Sequence, residues 1–387
     1  MIRVMMCFVL ILVGPVVFGQ TAQEPMSDTP VVIDLFVSGT EGYHTYRIPS
    51  IIATPKGTLL AFCEGRKNSR GDSGDIDLLL KRSEDNGKTW SRSQIVWDDA
   101  ENTCGNPCAV VDAETGKIWL FSTWNLGTDH EKEIGAGTSK DTRRVYVLHS
   151  DDEGENWSAP LDITQEAKKD TWRWYATGPG VGIQLLHGPR KGRLIIPGNH
   201  SYPECEPKNN MGGHVLYSDD HGENWRISEP IQPGINESQV VELSDGRVML
   251  NSRNYRYKGT RAVTISPDGG QQWPYISYIS ELQEPQCQAS ILRYSPNSFS
   301  PKSILLFSNP NHGSKRINMS VRLSLDEGQT WPIAKTLCDS HSAYSCLVVL
   351  PDGRIGCLYE AGEKHPYEKI VLHAVSLDWL MDGNEKR

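Results

Sequence analysis

Three arginines carry the strongest chemical signal in this 387-residue chain: Arg47 in Tyr46-Arg47-Ile48-Pro49, Arg253 in Asn251-Ser252-Arg253-Asn254, and Arg316 in Arg316-Ile317-Asn318. Guanidinium is a rigid planar fork, so several aimed at one point specify a carboxylate or a phosphate. Other polar and aromatic groups recur near them or at matching places: Glu64, Arg66 and Asp72, then Asn106 and Trp124, then Glu237, Tyr344 and Glu360. Residues so far apart in sequence act together only if the fold gathers them.

The elements that must do so form a repeat. Ser-x-Asp-x-Gly-x-x-Trp occurs five times, at 83–90, 150–157, 218–225, 266–273 and 324–331. The motif suits a β-turn: the aspartate accepts backbone N–H bonds, the glycine tolerates positive φ, and the tryptophan covers the turn. A calcium loop would need an Asp/Asn ladder and a distal bidentate glutamate, and these are missing. Each box ends a β-like run, and upstream of each lies a hairpin of two apolar runs joined by a Gly, Pro or Asp turn. The hairpins fall at 51–62, 110–121, 183–197, 240–250, 291–307 and 347–359, one more than there are boxes. A strand at 370–375 follows the sixth, and Val31–Val37 is a lone N-terminal strand available to close a ring.

Four strands repeated six times predict an all-β, six-bladed propeller of four-stranded antiparallel blades; a solenoid is the competing architecture. In a propeller blade the turns joining the first two strands and the boxes share one end. The starts of first strands, the ends of second strands and the long loops share the other. All the candidate residues above belong to that second end, so they are expected around one mouth of the central tunnel.

Composition sets the surroundings. Residues 1–19, with Arg3 and an apolar run closing at Gly19, read as a secretory leader; 20–30 reads as a linker and 31–387 as one propeller domain. Without the leader, 38 Lys+Arg face 48 Asp+Glu, a net charge of −10 that excludes a nucleic-acid reader built on a basic stripe. Eight cysteines would remain in a compartment that permits disulfides. Cys104 and Cys108 are the expected local pair, while Cys63, Cys346 and Cys357 lie in strand-like runs that suit buried thiols as well as bridges. No zinc-type cysteine or histidine spacing appears, so neither metal nor cofactor is expected, and no membrane span beyond the leader.

At the three arginine motifs, the boxes, Asn236-Glu237-Ser238 and Tyr344-Ser345-Cys346-Leu347, the chain resembles the exo-α-sialidases. The resemblance implies that Arg47, Arg253 and Arg316 hold the carboxylate of a terminal sialic acid, with Glu360 orienting Arg47. It further implies Tyr344 as nucleophile deprotonated by Glu237, a role of tyrosine that glycosidase chemistry already attributes to this family. Asp72, six residues past Arg66 in a Gly-rich loop, becomes the acid/base in preference to Asp75 or Asp77. Arg66 would meet a ring hydroxyl and Trp124 the N-acetyl group. The chain departs at Asn106-Pro107, where many bacterial relatives carry an aspartate, which leaves the partner of the ring 4-hydroxyl open. The implied partners are sialylated glycoproteins, glycolipids and oligosaccharides, cleaved by a monomeric, secreted or periplasmic hydrolase. A trans-sialidase, an intramolecular trans-sialidase or a non-catalytic sialoglycan-binding propeller are the alternatives.

Overall fold

A computed structural model describes residues 29–203, 210–257, 259–295 and 304–382; the leader expected at 1–19 lies outside the described residues. The strands sort into six four-stranded antiparallel sets. The first comprises Thr45–Ala53, Leu59–Arg66, Ile76–Ser83 and Gln94–Trp97, and the second Thr103–Val111, Ile118–Asn125, Arg144–Ser150 and Leu161–Asp162. In the third, the inner position is shared by Tyr175–Thr177 and Ile183–Gln184, both paired with Leu194–Ser201, followed by Met211–Ser218 and Arg226–Ile227. The fourth comprises Ile235–Glu242, Val248–Asn254, Arg261–Ser266 and Ser277–Ile279. The fifth and sixth share the 17-residue strand Ile333–Val349. Its first half pairs with Ile317–Ser324 and its second half with Ile355–Gly362.

The inner strands touch one another in sequence order, and that of the sixth set returns to that of the first, so the sheets close a ring as blades of a propeller. Val31–Val37 completes the sixth blade by pairing antiparallel with Lys369–Val375. Apolar side chains between consecutive sheets form the buried clusters that hold the blades face to face. Among the described residues no helix is long and apolar enough to cross a membrane.

The boxes are fasteners between blades. In each, the serine hydroxyl accepts the glycine N–H at 2.8–2.9 Å. The aspartate accepts the N–H four residues along at 2.8–3.0 Å. Every box glycine has positive φ and abuts the preceding blade: Gly87 meets Leu372, Gly154 Leu60, Gly222 Trp119, Gly270 Ile195 and Gly328 Met249. The sixth blade keeps the opening of the motif in Ser376-Leu377-Asp378, but Trp379 and Leu380 stand where the turn would form. A short helix, Leu377–Met381, is capped there by Ser376 and buries Leu380 in the core cluster shared with the fifth blade.

A Cβ at Gly222 would lie 2.3 Å from the Trp119 ring, in a backbone with φ of +93°. Gly222→Ala is therefore expected to lower folding stability by about 3 kcal/mol, combining clash with left-handed strain. Chemical denaturation should show the lowered midpoint, and the folded fraction should keep its activity.

One sequence expectation fails. Cys104 and Cys108 are both free thiols. They lie on one strand either side of a register break, and their side chains enter different cores, Cys104 with Leu79 and Cys108 with Phe121. A bridge would have to pull one of them out of its core.

Candidate active site

Four inner strands break register at the same end of the ring: between Arg47 and Ser50, Gly105 and Cys108, Ile235 and Ser238, and Ser342 and Ser345. A bulge locally re-aims side chains, and here it does so at the level of the candidate residues. Ile48 and Asn106 adopt φ of 61° and 54°, a left-handed conformation that is costly for a β-branched residue such as Ile48. That turn points the Ile48 N–H at Glu360 Oε1, 2.9 Å away. Arg47, Glu64, Arg66, Asn106, Trp124, Glu237, Arg253, Tyr344 and Glu360 thus lie within strands that run further than the apolar runs suggested, while Arg316 immediately precedes a strand and Asp72 lies on a loop.

Glu360 is wholly buried and organises two neighbours. Its carboxylate accepts Arg47 Nε and Nη2 at 3.0 and 3.3 Å, and also the backbone N–H of Tyr344 at 3.1 Å. Tyr344 donates its hydroxyl to Glu237 Oε1, whose other oxygen accepts Arg253 Nη1 at 2.7 Å. The same Arg253 nitrogen lies 3.3 Å from the Tyr344 oxygen. Arg316 donates to the Tyr367 hydroxyl at 2.8 Å. The guanidinium carbons of Arg47 and Arg316 stand 5.0 and 5.6 Å from the Tyr344 ring centroid, so three cations surround one phenol. Burial and the adjacent Glu237 push the phenol well above its ordinary value, against the pull of the arginines. It is held as a neutral hydroxyl whose proton already points at a carboxylate.

Asp72 lies on the loop after Leu59–Arg66. Its Oδ1 accepts Arg66 Nη1 at 2.8 Å and Arg47 Nη1 at 3.2 Å. Enclosure raises its carboxyl, but Arg66 and Arg47 outweigh that and hold it below the usual range, as an anion. Asp75 and Asp77 are occupied elsewhere: Lys67 Nζ binds both, at 2.9 and 3.2 Å, and Asp77 also takes the Tyr43 hydroxyl at 2.6 Å. Of the three aspartates, Asp72 lines a cavity of about 720 Å³ that is also lined by Glu131, Trp174 and Tyr255.

Asn106 lies beside the site, donating its N–H to Glu64 Oε1 at 2.9 Å and accepting Arg143 and Thr123 on its amide oxygen. The structure does not bring Trp124 into the cavity wall. Thr123 and Asn125 face Arg143, so the residue between them faces the other side of the strand. There the Trp124 indole donates to Asp99 at 2.6 Å. The aromatic side chains in the cavity wall are Trp174, on which Arg143 stacks at 4.0 Å, and Tyr255. Arg143 and Tyr367 were not anticipated. Arg143 ends the long loop of its blade, the place Arg316 occupies in the fifth, so the repeat held that signal; Tyr367 has no motif around it. Burial lowers Arg143 to about 10.

Among the described residues no group of three or more His, Cys, Asp or Glu is placed to hold a metal ion. The chemistry on offer is anion binding by arginines, a phenol aligned with a base, and a carboxylate joined to them through Arg47.

The chain is similar to known proteins over most of its length. Residues 57–357 match the family of BNR repeat-like domains. A sialidase of Micromonospora viridifaciens is 37% identical over 361 residues, covering 90% of this chain and 54% of the relative. An exo-alpha-sialidase of Aspergillus fumigatus is 32% identical over 383 residues, covering 88% and 86%. The chain spans 54% and 62% of the lengths of the bacterial sialidases from Micromonospora viridifaciens and Bacteroides fragilis. The solved structure of Hadza microbial sialidase Hz136 superposes with a TM-score of 0.79 at 30% identity, covering 90% of this chain and 68% of that one. The intramolecular trans-sialidase of Ruminococcus gnavus, at 22% identity and a TM-score of 0.72, shares the fold. By its boxes, its closed ring of β-sheets and its sequence over nearly the whole described length, this chain belongs to the sialidase family.

Proposed function

We propose that the protein is an exo-α-sialidase that releases terminal α-linked sialic acid by double displacement. The observation that carries this reading is the Tyr344–Glu237–Arg253 cluster, joined to Asp72 through Arg47, which binds Asp72 and lies over the Tyr344 ring. The substrate carboxylate sits on the anomeric carbon, and Arg47, Arg253 and Arg316 take it. Tyr344 oxygen attacks that carbon while Glu237 accepts the phenolic proton, and Asp72 gives a proton to the departing oxygen. A neutral phenol avoids the repulsion that a carboxylate nucleophile would meet beside the substrate's own charge. Water then attacks the same carbon, losing its proton to Asp72, as Tyr344 leaves and recovers its proton from Glu237. Asp72 must be protonated for the first step. A substrate carboxylate on Arg47 supplies this, because it weakens one of the two cations that hold Asp72 ionised and adds a negative charge nearby.

The substrates are sialylated glycoproteins, glycolipids and oligosaccharides, the protein is exported by the leader at 1–19, and it acts as a monomer of one propeller domain. Arg66, which binds Glu64 at 2.6 Å and Asp72 at 2.8 Å, meets a ring hydroxyl of the substrate in this reading.

Incubation with sialyllactose, with every sugar product identified, tests this reading. Free sialic acid is expected; an anhydro sugar or transfer to another glycan would make the protein a transferase, and no cleavage would make it a binding propeller. Proton NMR during the reaction should show the α-anomer first, since two inversions retain configuration. The β-anomer as first product would exclude the tyrosyl intermediate.

Arg253→Lys is expected to lose about 100-fold in kcat/KM. A lysine can keep the Glu237 ion pair, but a point charge cannot also meet the Tyr344 oxygen and a substrate carboxylate. Near-normal kcat/KM in a folded variant would remove Arg253 from carboxylate binding.

A further inference from the structure

A second cavity, of about 520 Å³, lies on the other side of the loop that carries the acid. Asp72 and Ser73 face the first cavity, whereas Ser69 and Arg70 face the second, with His44, His365, Tyr367 and Glu368 opposite. Tyr367 lines the second cavity and reaches the arginines of the candidate site. Its ring centroid is 4.1 Å from the Arg47 guanidinium carbon, and its hydroxyl accepts Arg316.

The two formal charges that line this second cavity, Glu368 and Arg70, differ in what they bind. Glu368 is occupied by the backbone N–H groups of Glu363 and Lys364, at 2.8 and 3.1 Å. The backbone of Arg70 is fixed, its carbonyl accepting Arg66 Nη1 at 2.7 Å. Its exposed guanidinium, however, has no carboxylate within ion-pair distance among the described residues. One committed acid thus faces an uncommitted cation and two imidazoles.

The oxygen that Asp72 protonates belongs to the leaving group, so that group must emerge beside the loop bearing Asp72. Building on the sialidase reading, we propose that the second cavity is a leaving-group subsite that favours an acidic sugar next to the one released, through Arg70. The anion there is a carboxylate, as in a second sialic acid, or a sulfate.

Three comparisons of wild type with Arg70→Ala test this: α2,8-linked disialyllactose against 3′-sialyllactose, 3′-sialyllactosamine with and without a galactose 6-sulfate, and 4-methylumbelliferyl sialoside. Loss of one exposed charge-assisted contact is expected to cost about fivefold in kcat/KM on an acidic leaving group, mostly through KM. The loss should shrink as salt is added. Neutral and aryl substrates should stay within about twofold, because Arg70 touches no reacting atom. Whichever acidic substrate suffers identifies the anion as carboxylate or sulfate. Arg70→Glu should reverse the preference. Equal losses on all substrates would mean that Arg70 merely holds the Asp72 loop, and no loss on either acidic substrate would mean that the cavity binds no anion; each overturns the subsite while leaving the sialidase reading intact. A wild type that cleaves none of the substrates overturns both.

Discussion

Tyr344→Phe is expected to lower kcat/KM for 3′-sialyllactose by about 10⁴-fold, as removal of a covalent nucleophile does when its partners act as a unit with it. The substitution deletes one oxygen and little else. The ring that Arg47 and Arg316 lie over remains. Glu237 keeps Arg253 at 2.7 Å, so its carboxylate is not left unpaired. Glu360 still accepts the residue-344 backbone N–H, which fixes the strand. Affinity for free sialic acid should therefore change far less than turnover, a split that misfolding could not produce. A folded variant within about tenfold of wild type would place the nucleophile elsewhere.

Asp72→Ala should separate substrates by how badly their leaving groups need a proton. General acid–base assistance is worth about 10²- to 10⁴-fold, and a sugar alkoxide needs all of it. The 4-methylumbelliferyl oxide departs with little help, so kcat/KM on 3′-sialyllactose should fall about 100-fold further than on the aryl sialoside. The ratio is internal to each preparation and independent of how much folded protein is recovered. Asp75→Ala and Asp77→Ala should depress both substrates alike. They strip Lys67 of a partner, and loss of Asp77 also leaves the buried Tyr43 hydroxyl unpaired. A selective loss at either of them, with parallel losses at Asp72, would move the acid along the loop.

The blade pattern was legible because a box and a hairpin each obey short-range rules of turn chemistry and strand alternation. Counting repeats then placed Arg47, Arg253, Arg316, Tyr344 and Glu360 at one rim without any knowledge of contacts. Strand alternation also decides Trp124, but only once the inward face of its strand is known, and the neighbouring Thr123 gives no hint of that on its own. Tyr367 was out of reach because its importance comes from what the loop after Ile355–Gly362 packs against. Loops carry no period. The Cys104–Cys108 pairing failed for a related reason: proximity in sequence says nothing about which core each side chain enters.

Val31–Val37 is the first described strand of the chain and the last piece of the ring to find its place. Its partner, Lys369–Val375, lies at the opposite end of the sequence, so on the ribosome it must wait while five blades and most of a sixth are made. Val31, Val32 and Val37 remain partly exposed even in the finished sheet. During synthesis the strand is an unpaired apolar ribbon, and the mature end of the ring is an open edge seeking one, a combination that invites pairing between two nascent chains. Yield in a heterologous host should thus depend on chain concentration and on how quickly synthesis reaches residue 375, more than on the stability of the closed molecule.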